Sequence, residues 1–84
     1  MQKKRVTVKR ESGLEARPIS MLVQKASQFS SQVHIEVGTK SINAKSIMGM
    51  MSLSVGNGDQ VVVVTEGIDE VAAADEIETY LMAQ

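Results

Sequence analysis

The chain has 84 residues, 43% hydrophobic and 23% charged, with one proline and no cysteine, so one ordinary globular core is expected and disordered or collagen-like classes are excluded. Without cysteine there are no disulfides, thiolate metal sites or cysteine nucleophiles, and the lone His34 leaves no site built on two imidazoles. The formal net charge of −1 conceals a split: residues 1–45 carry all nine basic groups against three acids (+6), and residues 46–84 carry seven acids and no base (−7).

Alternation marks the first strand, with Val6 and Val8 facing one way and Arg5, Thr7 and Lys9 the other. After the turn residues Ser12 and Gly13, apolar side chains recur at Ile19, Leu22, Val23, Ala26 and Phe29. That is helical spacing, and it predicts a helix over residues 16 to 28 with Pro18 tolerated in its first turn. Val33, Ile35 and Val37 alternate with His34 and Glu36, which turns His34 toward solvent. Gly38-Thr39 then reverses the chain into a short strand carrying Ile42 and Ala44, closing a hairpin.

The methionine-rich stretch from Ile47 to Leu53 fits a helix of about two turns, stopped by the glycines around Asn57. On it Met48 and Met51 face outward while Met50 and Leu53 face the core. The β-branched run Val61 to Val64 reads as a central strand. Asp69 is then placed to N-cap a last helix whose Val71, Ala74, Ile77 and Leu81 face inward and whose Glu70, Asp75, Glu76 and Glu78 stay wet. The order β-α-β-β-α-β-α predicts a single α+β domain over residues 1 to 84. Its architecture is an open-faced sandwich, a four-stranded, mainly antiparallel sheet covered on one face by three helices.

Two helix starts carry the chemistry, because a helix N-terminus offers unpaired N–H groups to an anion. The first is Gly13-Leu14-Glu15-Ala16-Arg17-Pro18, and the second is Asn43-Ala44-Lys45-Ser46-Ile47-Met48-Gly49-Met50-Met51-Ser52-Leu53. Read by itself, Glu15 complements the helix dipole and caps N–H groups. Ser46 by itself is an ordinary N-cap, and Arg17 an ordinary surface arginine. The Gly56-Asn57-Gly58 stretch lacks the lysine and hydroxyl pattern of a nucleotide loop and reads as a turn.

Together the two segments resemble the HPr family of bacterial phosphocarriers, and with element order and length the resemblance covers essentially the whole chain. It implies the open-faced sandwich already read from the elements. In the family a histidine, followed by Ala-Arg-Pro, carries a phosphoryl group from phosphoenolpyruvate to sugar permeases. Here Glu15 holds that position, so histidine phosphotransfer is not expected. The resemblance points instead to the catabolite-repression branch, which also lacks the histidine and typically has glutamine there.

For Ser46 the resemblance implies phosphorylation by an HPr kinase/phosphorylase and corepression with a LacI-type catabolite control protein. Arg17, Ser20, Gln24, Lys45, Ile47, Met48 and Met51 become the expected partner surface. A phosphoryl carrier using Glu15 as an acyl-phosphate acceptor is the rival reading. Phe29 and Tyr80 are the only aromatics, so nucleic-acid binding through the basic half is not expected. No apolar run reaches membrane-spanning length, and a cytoplasmic, non-enzymatic protein without cofactor or metal is expected. Monomer and homodimer both remain open, since the polar first strand can pair between chains only if it forms a sheet edge.

Overall fold

The computed structural model describes residues 1–10 and 13–83, so Glu11 and the expected turn residue Ser12 lie outside the described residues. Four strands, β1 (Gln2–Thr7), β2 (Gln32–Val37), β3 (Lys40–Asn43) and β4 (Gln60–Glu66), form one sheet in the order β1-β4-β2-β3. All three pairings are antiparallel, with Val6 opposite Val61, Ile35 opposite Val63 and Ile42 opposite Ile35. Helices α1 (Ala16–Ser27), α2 (Ile47–Met51) and α3 (Glu70–Met82) complete the expected β-α-β-β-α-β-α order.

Alternation decides which face the helices cover. Val6, Val8, Val33, Ile35, Val61 and Val63 are buried in a core shared with Ile19, Leu22 and Ala26 of α1, Met50 of α2 and Ile77, Tyr80 and Leu81 of α3. The intervening Lys3, Arg5, His34 and Val62 lie on the other, open face, exposed or half-exposed. As the β-branched run implied, β4 is internal, flanked by β1 and β2.

Three local expectations are corrected. Helix α2 has five residues, short of two turns, because Ser52 closes it: its N–H and its Oγ both bond the Gly49 carbonyl, at 3.1 and 2.6 Å. The helix thus ends before the glycines, and Gly56 is instead tied to Asp59, whose carboxylate accepts its N–H at 2.8 Å. Val71 is 56% exposed, and the inward positions of α3 are taken by Ala73, Ala74, Ile77, Tyr80 and Leu81. Asp69 stands at the N-cap position of α3 but makes no side-chain cap bond. Its carboxylate turns away to the loop before β2, where it accepts the N–H groups of Ser30 at 2.9 Å and Ser31 at 2.8 Å.

Folding also interleaves the charged halves. Lys4 on β1 reaches Asp75 and Glu78 on α3, and Lys25 on α1 reaches Glu76 at 3.0 Å. The hydrogen bond to Asp75, then that to Glu78, holds the Lys4 ammonium above its usual pKa. Arg10 lies 3.9 Å from the centre of the Tyr80 ring and donates to the Tyr80 carbonyl. Among the described residues Lys4, Arg10 and Lys25 of the basic half are thus engaged by α3.

Candidate functional site

Helix α2 packs against α1, and bonds at both ends set their relative direction. Ahead of α1, the Leu14 N–H donates to the Val55 carbonyl at 2.9 Å, beyond the end of α2. Beyond α1, the Phe29 carbonyl accepts from Lys45 Nζ at 2.6 Å, just ahead of α2. The two helices therefore run antiparallel. Glycine is needed at position 13 for this approach: its φ is +70°, and a Cβ there would fall 2.6 Å from the Val55 oxygen.

Glu15 is the N-cap residue of α1, extended at ψ −174° and exposed, and its side chain makes no cap bond. The expected capping role is thus absent. Pro18 supplies a reason, since it occupies the third helical position and has no N–H for the cap to take. Glu15 keeps only the favourable placement of a negative charge at the helix start.

Ser46 caps α2, its Oγ accepting the Gly49 N–H at 3.3 Å. The approach to it is fixed by Asn43, whose Oδ1 accepts the Lys45 N–H at 2.9 Å and whose carbonyl accepts the Ser46 N–H at 3.0 Å. Ser46 is half-exposed, and Ile47 (43%), Met48 (84%) and Met51 (50%) open to solvent beside it. Met50 is fully buried, and Leu53 packs against the core.

Arg17, Ser20 and Gln24 are all exposed on α1. Among the described residues no hydrogen bond or ion pair joins Arg17 to Ser46. The antiparallel helices put Arg17 and Glu15 toward the end of α2, while Ser46 lies toward the end of α1. Lys45 differs from the other expected surface residues, because the Phe29 carbonyl takes its ammonium. Met21, 46% exposed, was missed by sequence reasoning. Its position four residues after Arg17 and three before Gln24, outside the Ile19, Leu22 and Ala26 stripe, was the available signal.

A family model described as PTS HPr component phosphorylation site matches residues 2–83. The chain belongs to the HPr family. It is 44% identical over 81 residues to the HPr-like protein Crh of Halalkalibacterium halodurans, covering 96% of each chain. To the HPr-like protein Crh of Bacillus subtilis it is 40% identical over 84 residues, covering 100% of this chain and 99% of the other. The phosphocarrier protein HPr of Bacillus anthracis superposes with a TM-score of 0.92 at 42% identity, with 95% of each chain covered.

Glu15, which the resemblance set at the carriers' histidine position, lies exposed at the start of α1. The α1/α2 surface of this HPr-like chain thus pairs an exposed carboxylate at one helix start with a half-exposed serine hydroxyl at the other. His34, on β2, is turned from the Val33 and Ile35 face and stands opposite Asn43 of β3. Among the described residues no helix is long and apolar enough to cross a membrane.

Proposed function

We propose that this HPr-like protein is a regulator rather than a carrier: Ser46 is phosphorylated by an HPr kinase/phosphorylase, and the product acts as corepressor with a LacI-type catabolite control protein. One observation carries the reading: the half-exposed Ser46 hydroxyl at the N-cap of α2, beside the exposed Ile47, Met48 and Met51. Flexible thioethers suit a surface that must fit both a kinase and a repressor. Arg17, Ser20, Gln24 and Lys45 complete the surface, with Arg17 as a contact for the repressor whose guanidinium fork can pair with a carboxylate or reach the phosphate. A cytoplasmic location and the absence of enzymatic activity follow from the same reading. The single α+β core fits a single domain over residues 1 to 84.

Incubation with the kinase and ATP should add one phosphate to the wild-type chain and none to Ser46→Ala, as read by mass spectrometry. No added phosphate, or phosphate that survives the substitution, would reject the proposal. Homodimer formation by segment exchange, and not by pairing of two sheet edges, is proposed alongside, because the Crh of Bacillus subtilis was solved as a swapped dimer. Sedimentation over a concentration series tests that part separately.

A further inference from the structure

Strand β1 is an outer strand of the sheet, paired with β4 on one side only. Among the described residues, no backbone group between Gln2 and Thr7 has a partner on the other side. Such an edge offers a row of N–H and C=O groups to any extended chain. The opposite edge, β3, is shorter, with four residues, and α2 packs against it.

The side chains along β1 divide by face. Lys4 turns to the helix layer and is engaged by Asp75 and Glu78. Lys3 and Arg5 lie exposed on the open face, and among the described residues neither forms an ion pair. With Val62 and Glu36 they line an open hollow of about 500 Å³. Two free cations at alternate positions of an unpaired strand match carboxylates at alternate positions of a strand added beside it.

We propose that the free edge of β1 is a docking site for an extended acidic segment of a partner protein, which adds to the sheet as a fifth strand. Strand spacing decides whether Glu36 opposes this. An added strand would lie about 5 Å from β1 but about 14 Å from β2, which carries Glu36. At physiological ionic strength the screening length is about 8 Å, so attraction to Lys3 and Arg5 outweighs repulsion by Glu36.

Two other occupants fit less well. A second copy would bring its own Lys3, Lys4 and Arg5 against the first, stacking like charges across the new pair. A nucleic acid cannot continue the backbone ladder, and both aromatics are already committed: Tyr80 is buried and Phe29 packs on the core.

The test is titration of the full chain, labelled with ¹⁵N, with a short end-blocked peptide alternating glutamate and threonine. Amide shifts and slowed exchange should concentrate on Lys3 to Thr7, and raising the salt should weaken binding. Lys3→Glu with Arg5→Glu should lower affinity by about tenfold or more, and the milder Lys3→Gln with Arg5→Gln by less. Both variants alter only the open face, so their phosphorylation at Ser46 should match the wild type. That separates failure of this proposal from failure of the regulatory reading. Any of four results would overturn it: no shifts, shifts confined to α1 and α2, equal binding of a peptide alternating lysine and threonine, or tighter binding of a single-stranded oligonucleotide at β1. Concentration-dependent self-association through β1 that the peptide does not reverse would also overturn it.

Discussion

Asp69, ahead of α3, and Ser31, ahead of β2, bond each other in both directions. The Ser31 hydroxyl and N–H donate to the Asp69 carboxylate, and the Asp69 N–H donates back to Ser31 Oγ at 3.2 Å. Ser31 is 1% exposed, so this clasp holds the two loops from inside. Gly67 makes room for it, since a Cβ there would fall 2.6 Å from Ser31 Oγ. The Ser31 hydroxyl first, then the Ser30 N–H, lowers the Asp69 pKa below the usual carboxylate range.

A pH dependence follows from the sign of that shift. In the unfolded chain Asp69 takes up its proton near about pH 4, whereas in the folded chain it does so only at lower pH. Its contribution is therefore complete above the unfolded value and is lost as pH falls through the folded one. Thermal unfolding of wild type and Asp69→Asn should differ most near neutral pH, and the gap should close on acidification. Ser31→Ala should cost about 2 kcal/mol, roughly 10 °C in a domain of this size. A gap that is constant with pH would show that the clasp does not depend on the carboxylate charge.

At position 15 the test is a gain of function. Glu15 lies exposed at the start of α1 with no cap bond to lose, so Glu15→His should fold as the wild type does. If the surface is otherwise that of a carrier, the variant should accept a phosphoryl group from phosphoenolpyruvate and the first phosphotransferase enzyme, while the wild type stays unlabelled. A hydroxylamine-sensitive label on the wild type would instead reveal an acyl phosphate on Glu15 and support the carrier reading.

The two methionines of α2 with opposite exposure separate docking from folding. Met48 is 84% exposed and Met50 fully buried. Met48→Ala should change stability by less than about 0.5 kcal/mol yet weaken repressor binding by roughly tenfold, about 1.4 kcal/mol. Met50→Ala should cost about 2–5 kcal/mol of folding free energy through the cavity it leaves. Calorimetric unfolding paired with a binding titration reads both, and an unchanged affinity for Met48→Ala would remove it from the docking surface.

These residues also show what a single sequence exposes and what it conceals. Periodicity placed β1, α1, β2 and α3, because burial repeats at two or at three to four residues, and the β-branched run placed β4. It misjudged Val71, which lies at the margin of the buried Ala73, Ala74, Ile77, Tyr80 and Leu81 stripe of α3. Asp69 and Glu15 both occupy N-cap positions, but tertiary partners drew one away and Pro18 weakened the case for the other. The charge split was legible as arithmetic, while the pairing of Lys4 and Lys25 with α3 needed the fold. Met21 was concealed because methionine serves equally in a core and on a surface.

Ser46 has a structural duty that bears on the kinase experiment. Its Oγ holds the Gly49 N–H, and α2 has only five residues, so this one bond satisfies a large share of the helix's free donors. Ser46→Ala should therefore cost about 1 kcal/mol, roughly 5 °C in unfolding temperature. Ser46→Asp, which keeps an acceptor oxygen at the N-cap, should recover most of that loss. Asn43 and Lys45 still fix the approach to α2 in both variants, so a missing phosphate on Ser46→Ala reports the missing hydroxyl and not an unfolded segment. Loss well beyond this size, with Gly49 and Met50 amides exchanging freely, would mean that the cap organises the whole segment, and Ser46→Asp would then have to serve as the non-phosphorylatable control.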